Sequence, residues 1–390
     1  MVDPVGPSVD RTHLDVLIVG AGISGISGAV HLKERCPDRS FAVLEGRSDI
    51  GGTWDLFRYP GVRSDSDMHT LGYRFKPWRH EKSIADGPSI MEYLRETIAE
   101  YDLARHIRFG HRVVRAEWSS TQSCWTVTAR HSDPSTGAFD EVVLTCGFLF
   151  MCSGYYSYHE GYTPDFAGQE RFQGPIVHPQ EWPEDLTYNG RRIVVIGSGA
   201  TAMTLVPALA QTAGHVIMLQ RSPTYVVARP SFDVVANRLR KILPDRWAYA
   251  ITRRKNVFRQ GLVYRKTRTN PDKIRDLLLS GVRAGLGTDY DVDSHFTPTY
   301  DPWDQRLCLI PDGDLFKAIR SGRASVITAH IDTFTEHGIR LQDGSEINAD
   351  IIVTATGLNL VTLGEMDFIV DDVPVDFART WTYRGLAYSG

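Results

Sequence analysis

Two short glycine-rich strings, each set directly between an apolar strand and a helix, constrain this chain more than any other feature. The first, Gly20-Ala21-Gly22-Ile23-Ser24-Gly25, is entered from the apolar run Val16–Val19 and leads into a helical stretch ending near Arg35, where Cys36-Pro37-Asp38 breaks it. The second, Gly197-Ser198-Gly199-Ala200-Thr201-Ala202, is entered from Arg192–Ile196 and is again followed by a helix. A strand apolar at every position reads as buried on both faces, as in a parallel sheet. Glycines at the turn give a tight bend, admit a pyrophosphate to the backbone and let the helix pack closely, with the helix N-terminus facing the phosphates. The expected fold class is therefore α/β, with two Rossmann-like dinucleotide-binding domains and a small helical insertion. Two such units that differ in detail predict two bound dinucleotides.

The ends of the following strands separate the two sites. Phe41–Leu44 closes on Glu45, twenty residues beyond Gly25. A carboxylate there accepts hydrogen bonds from a ribose 2′-hydroxyl and repels a 2′-phosphate; with its N-terminal position, this favours FAD. His215–Leu219 instead closes on Gln220-Arg221-Ser222. Arg221 can pair with a 2′-phosphate and Ser222 can hydrogen-bond to it, which favours NADPH over NADH; the bland alternative for Arg221 is an ordinary surface arginine.

Between the two units, His111–Trp118, Ser123–Arg130 and Glu141–Leu144 read as antiparallel strands, and Phe148–Cys152 as a return strand to the first sheet. Asp350–Thr354, ahead of Ala355-Thr356-Gly357, reads the same way. This predicts a discontinuous FAD domain over residues 1–185 and 335–390, and an NADPH domain over 186–334 with a helical insertion at about 231–300. From Arg238 to Arg275 there are thirteen Lys/Arg against two Asp. A solvated helical subdomain is the simpler reading; a basic lid over a phosphorylated cofactor, or peripheral contact with an anionic membrane surface, is the sharper one.

Composition narrows the classes further. With 43 Lys plus Arg against 47 Asp plus Glu, net charge −4, the chain has no general electrostatic reason to seek nucleic acid. Its five cysteines, Cys36, Cys124, Cys146, Cys152 and Cys308, form no C-x-x-C pair. That argues against a disulfide scaffold or a metal site and points to a reducing cytoplasm. Met1 to His13 lacks an apolar signal core, and no apolar run reaches the ~18 residues of a transmembrane segment.

Two longer strings add a family likeness. Phe172-x-Gly174-x-x-x-His178-x-x-x-Trp182-Pro183 resembles the fingerprint of the type I Baeyer–Villiger monooxygenases. The related flavin-containing and N-hydroxylating monooxygenases have a similar string without the Trp-Pro ending. Taken alone, His178 would more often be a satisfied structural histidine. Gly51-Gly52-Thr53-Trp54-x-x-x-x-Tyr59-Pro60-Gly61-x-x-x-Asp65 matches a second string of the family at every defined position. The likeness runs from about Leu14 to Gly390 and is greatest to the ethionamide-activating monooxygenase subgroup.

The resemblance implies residue roles. Ser24, Glu45, Thr53, Trp54 and Asp65 would touch FAD, with Val113 on its adenine side. Arg63, Ser64 and Asp65 would lie near the nicotinamide. Gly197, Ser198, Gly199, Ala200, Thr201, Ala202 and Met203, with Arg221 and Ser222, would hold the rest of NADPH. The family's catalytic arginine maps to Arg306 in Trp303-Asp304-Gln305-Arg306, oriented by Asp65. Gln305 stands where many relatives have a lysine that assists 2′-phosphate binding, so selectivity for NADPH would rest more on Arg221.

The implied reaction is hydride transfer from NADPH to FAD, then oxygen transfer through a C4a-peroxyflavin to a ketone, giving an ester or lactone, with sulfoxidation of sulfides as a side activity. The cofactor carries the hard chemistry. Arg306, always protonated, would stabilise the peroxide and adduct anions. Members of this family usually continue beyond the position of Gly390, so the FAD domain is expected to be incomplete at its C-terminus. Two rival readings follow: a catalytically impaired nucleotide-binding remnant, and a heteroatom oxygenase acting on sulfur or nitrogen.

Overall fold

The computed structural model describes residues 13–132, 139–383 and 387–389. The polar segment before His13, and Gly390, lie outside the described residues. Contacts divide the chain into two compact units, one formed by residues 1–56, 90–159 and 359–390 and the other by 57–89 and 160–358.

The first unit is built on β1 (His13–Val19), α1 (Ile23–Arg35), β2 (Phe41–Leu44), β3 (Ile107–Arg108), β4 (His111–Ser119), β5 (Cys124–Ser132) and β6 (Phe139–Met151). β1 pairs in parallel with β2, Val19 opposite Leu44, and with β6, Val19 opposite Met151. Flanked on both edges and covered on both faces, β1 buries Leu17 and Ile18 completely, which is why it is apolar at every position. At Gly28, α1 leaves no room for a side chain: a Cβ there would lie 2.6 Å from the Phe150 ring. α1 ends at Cys36, whose N–H still bonds Leu32 O, because Pro37 disfavours helical geometry in the residue before it.

The sequence divides 139–152 into two strands, but the structure makes β6 one strand of 13 residues. Residues 139–146 pair antiparallel with β5 and residues 145–151 pair parallel with β1. Gly147, between the two stretches, is extended; a Cβ on it would lie 3.4 Å from Asp15 O. The late hairpin Asp367–Val370 and Val373–Pro374 extends the sheet beyond β4.

The second unit contains β7 (Ile176–Val177), β8 (Arg192–Ile196), α2 (Ala200–Leu209), β9 (His215–Gln220), β10 (Ala324–Thr328) and β11 (Ile351–Thr354). These strands form one parallel sheet in the order β10-β9-β8-β11-β7. Ile196 lies opposite Leu219 on one side and Thr354 on the other. The domain boundaries therefore differ from the sequence expectation. Segments 160–185 and 335–358 belong to the second unit because β7 and β11 complete its sheet, and 57–89 joins it as well. An apolar return strand carries no mark of the sheet it returns to; only its pairing shows that.

The helical insertion is present as α3 (Val234–Ile242), α4 (Asp245–Thr269) and α5 (Pro271–Leu286). Some of its cations are engaged within the unit. Arg253 donates to the carbonyls of His69 and Thr70, Lys255 pairs with Asp233 at 2.7 Å, Arg268 pairs with Asp304, and Arg275 with Asp301. Part of the charge run thus serves internal bonding, and the structure adds nothing to the membrane-contact reading. Among the described residues no helix is long and apolar enough to cross a membrane.

Candidate active site

In the first unit, the turn after β1 opens on a cavity of about 470 Å³. Gly20, Gly22, Ser24, Glu45, Thr53, Trp54 and Val113, all expected FAD contacts, line it together. Gly20 has φ +103°, and a Cβ on it would lie 2.4 Å from Cys152 O. Gly25 is not among the residues lining the cavity, but a Cβ on it would lie 1.8 Å from Gly20 O; glycine there permits the turn. Gly22 and Gly52 face each other across the cradle, since a Cβ on Gly52 would lie 3.4 Å from Gly22 Cα. Glycine at both positions keeps that space open.

Glu45 is buried at the end of β2, where Oε2 accepts from Ala21 N at 2.7 Å and Oε1 from Arg47 N at 2.9 Å. Burial pushes its pKa up, while the two N–H donors and the Arg47 charge pull it down. Thr53 accepts a hydrogen bond from the Tyr156 hydroxyl.

The residues of this cavity fit a flavin dinucleotide. α1 starts at Gly22 with no side-chain cap and no acid in its first turn, so its N–H groups and dipole are available to a pyrophosphate. Two buried polar atoms around the cavity, Ser153 Oγ and Arg47 Nε, have no hydrogen-bond partner among the described residues. Sequence reasoning missed Arg47, Ser153, Tyr156 and Tyr158. Arg47 pairs with Asp55 at 2.5 Å and lies 5.8 Å from the Tyr158 ring centroid. Its place two residues past Glu45 was the available signal; the tyrosines follow the Ser153-Gly154 turn after β6.

The second unit repeats the device. Gly197 has φ +132°, and a Cβ on it would meet Ala355 O at 2.3 Å. α2 starts at Gly199, again with no side-chain cap and no acid in its first turn. Ser198 is tied down, its hydroxyl bonding Ser222 O at 3.2 Å and Thr224 Oγ1 at 3.0 Å. Ala202 and Met203 are buried under the helix, and Ala200 and Thr201 form its first turn. Arg221 and Ser222 are exposed just past β9, where a 2′-phosphate recognition pair is needed. An uncapped helix start with a free cation at the next strand end fits a phosphorylated nicotinamide dinucleotide.

Arg63, Ser64, Asp65 and Arg306 also lie in the second unit, so the structure does not place Asp65 in the cavity of the first. Arg306 Nη1 lies 3.7 Å from where a Gly199 Cβ would be. Arg306 has no carboxylate partner among the described residues. Burial raises the nearby Cys308 thiol to about 12, with the Asp65 charge adding to the shift and Arg306 opposing it. Asp65 and Arg306 therefore both come within electrostatic range of one thiol. The Asp65 carboxyl is raised by partial desolvation and lowered by Arg63. Ser64 is buried and its hydroxyl accepts from Ala85 N at 3.1 Å, a bond that pins the loop.

The long family string has an internal structural role. His178 Nδ1 accepts from Gln180 N at 3.1 Å, which leaves Nε2 to donate to Gly357 O at 3.1 Å. A Cβ on Gly174 would lie 2.3 Å from Asp350 O, Phe172 is buried in the core, and Trp182 packs edge-on against Tyr188. Pro183 O accepts from Leu186 N at 3.3 Å. Together these residues tie the segment between the two glycine strings to the turn after β11. Among the described residues no cluster could hold a metal.

Two nucleotide cradles, one closed by an acid and the other by a cation, define an oxidoreductase that uses two dinucleotides. The flavin-binding monooxygenase-like family profile matches residues 79–255, and that of the NAD(P)-binding Rossmann-like domain matches 18–80. The chain is 56% identical over 379 residues to the FAD-containing monooxygenase EthA of Mycobacterium tuberculosis (strain ATCC 25618 / H37Rv), covering 97% of this chain and 76% of that protein. It is 48% identical over 378 residues to the probable FAD-binding monooxygenase AlmA of Acinetobacter baylyi, covering 97% and 75%. The solved structure of an oxidized steroid monooxygenase bound to NADP superposes with TM-score 0.73 at 27% identity, covering 92% of this chain and 74% of that one. The chain belongs to the flavin-binding monooxygenase family. The cofactor pair expected from the sequence, FAD and NADPH, is the one these findings support.

Proposed function

We propose that this chain is an FAD-dependent, NADPH-using monooxygenase that inserts one oxygen atom of O2 beside a ketone carbonyl, giving an ester or lactone. The first unit would hold FAD through Gly20, Gly22, Ser24, Glu45, Thr53, Trp54 and Val113. The second would hold NADPH through the Gly197–Met203 turn with Arg221 and Ser222. When bound, the two cofactors supply hydride transfer and the activation of O2.

The chain's own contribution is charge placement. One observation carries the reading: Arg306, a guanidinium without a carboxylate partner among the described residues, set against Gly199 and sharing its surroundings with Asp65. Arginine stays protonated at any working pH, so it can stabilise negative charge developing on an oxygen beside it. Asp65 would orient that guanidinium. A carbonyl adduct needs such a cation more than a polarisable sulfur does, which favours ketone oxidation over sulfoxidation as the main reaction. The two open cradles and the orphaned Ser153 and Arg47 atoms fit bound dinucleotides, which an enzyme and a nucleotide-binding remnant share; product formation separates the two.

The test compares Arg306→Ala with the unaltered chain, supplied with FAD, NADPH and either a cyclic ketone or an aryl methyl sulfide. Flavin reduction by NADPH should persist while ester formation falls ~100-fold or more, the scale of losing one oxyanion donor. Full ester formation by the variant overturns the role of Arg306. Sulfoxide without ester from the unaltered chain overturns the ketone assignment.

A further inference from the structure

The loop that carries Asp65 is packed tightly on α2. Gly61 has φ +80°, and a Cβ on it would lie 2.7 Å from Ala208 Cβ and 3.1 Å from Thr204 O. Two residues on, Arg63 reaches the same helix. Pro207 sits inside α2 and has no N–H to donate, so the carbonyl four residues earlier, Met203 O, lacks its helical partner. Arg63 Nη2 approaches that carbonyl at 3.4 Å. Arg63 Nη1 meets Asp314 Oδ2 at 2.5 Å, with both side chains largely buried at 15% and 28% exposure. The other Asp314 oxygen accepts from Leu315 N at 2.8 Å, which fixes the carboxylate at the start of helix α6 (Asp314–Arg320). Ser64, next to Arg63, is bonded to Ala85 through both its N–H and its hydroxyl. Asp65, one residue further, has no hydrogen-bond partner among the described residues.

Arg63 thus has two carboxylates in range and is bonded to the distant one. We propose that Asp314 is a positioning residue for Asp65: by holding the Arg63 guanidinium on Met203 O and on itself, it keeps Arg63 from closing on Asp65 and leaves that carboxylate free. The significance for turnover rests on the role given to Asp65 above; the positioning itself does not.

The charges involved can be named. Around Asp65 lie Arg63, the Tyr59 phenol and the Cys308 thiol. Around Arg63 lie Asp314, the β-bridge partner Asp86, whose carboxylate accepts from Ser89 N at 2.9 Å, and the rim of a cavity of about 250 Å³ that also carries Lys317 and Arg323. Both of these are cations and cannot replace Asp314 as a partner. With Asp314 neutralised, a largely buried guanidinium would lose its ion-pair partner among the described residues, at a cost that drives it to the carboxylate on which its charge already acts. That carboxylate is Asp65.

The experiment follows the Asp65 carboxyl directly, by carbon-13 NMR of the full chain loaded with FAD and labelled at aspartate Cγ. The Asp65 resonance is assigned by its absence in Asp65→Asn. Asp314→Asn should move the Asp65 titration to lower pH, because a captured carboxylate is held in its charged form. Asp314→Glu, which keeps the charge, should restore it. In an Arg63→Met background, Asp314→Asn should have little further effect, since nothing is left to capture Asp65. An Asp65 titration that stays put or rises in Asp314→Asn overturns the proposal, as does a shift of equal size in the Arg63→Met background. In the same samples Asp314→Asn should cut product formation ~10-fold, a misplacement-scale loss. If the titration moves as expected and turnover does not change, the positioning stands and the catalytic role of Asp65 falls.

Discussion

The two glycine turns share a backbone device and differ in what surrounds it. At both, the first glycine takes a positive φ under a carbonyl from the neighbouring strand end, where an added Cβ would lie 2.4 Å from Cys152 O and 2.3 Å from Ala355 O. Both first glycines donate to the strand across, Gly20 N to Leu44 O at 2.7 Å and Gly197 N to Leu219 O at 2.8 Å. At the third position they part: a Cβ on Gly25 would overlap Gly20 O, while Ala202 carries its Cβ and is buried. The ends of the next strands part too. By register with Leu44 and Leu219, Glu45 and Gln220 are equivalent. Glu45 turns back to the Ala21 N–H; Gln220 donates to His295 O at 2.7 Å and Thr328 Oγ1 at 2.9 Å, leaving Arg221 exposed beyond it. The turn provides for a pyrophosphate in either unit, and the side chains at the next strand end select the nucleotide.

That contrast can be broken by substitution. The largest effect is expected from Gly25→Ala, whose Cβ would sit 1.8 Å from Gly20 O. Purified protein should carry no flavin absorbance at 450 nm (roughly, the visible band of an oxidised flavin), and retained flavin would mean the turn is more plastic than described. Arg221→Ala comes next. The NADPH-to-NADH ratio of kcat/KM should fall ~10-fold or more for loss of a charge-assisted contact, and an unchanged ratio would move 2′-phosphate recognition elsewhere.

The raised carboxyls of the two units sharpen the comparison. Glu45 has two N–H donors and Asp65 has none, yet desolvation raises both. A folded-state pKa above the unfolded value means that folding favours the protonated acid. The stability Asp65 contributes is therefore present at pH below the ordinary carboxylate range and lost as pH rises through the raised value. Asp65→Asn should raise Tm near neutral pH, with the gain vanishing below pH ~4; a Tm gain independent of pH would rule out this origin. Glu45→Gln should lower Tm, because one backbone N–H would then face an amide N–H₂. The smallest effect is expected from Ala202→Gly, with NADPH affinity within about twofold of the original, since the change costs only helix propensity of ~1 kcal/mol. A tenfold loss would show that the Ala202 methyl is needed by the turn.

Local features were legible in the sequence, and pairings between distant segments were not. The glycine turns, the apolar strands leading to them and Glu45 could be read because each acts within its own thirty residues. β11 could not be assigned to its sheet, because Ile351–Thr354 is as apolar as a return strand to either one. Joining residues 139–151 into one strand needed the knowledge that β6 has different partners on its two edges. Ser64, read from the family string as a neighbour of the nicotinamide, turned out to bond Ala85, and Arg63 turned out to fill the gap left by Pro207. Neither contact has a sequence signature, since each depends on which helix the loop lies against.

The central claim is that one unit binds a flavin and the other a 2′-phosphorylated nicotinamide dinucleotide. An anaerobic titration of the FAD-incubated, desalted chain tests it most directly. The account predicts a bound flavin spectrum that bleaches with NADPH and far less readily with NADH. A chain that retains no flavin, or one whose flavin bleaches equally with both nucleotides, would contradict it.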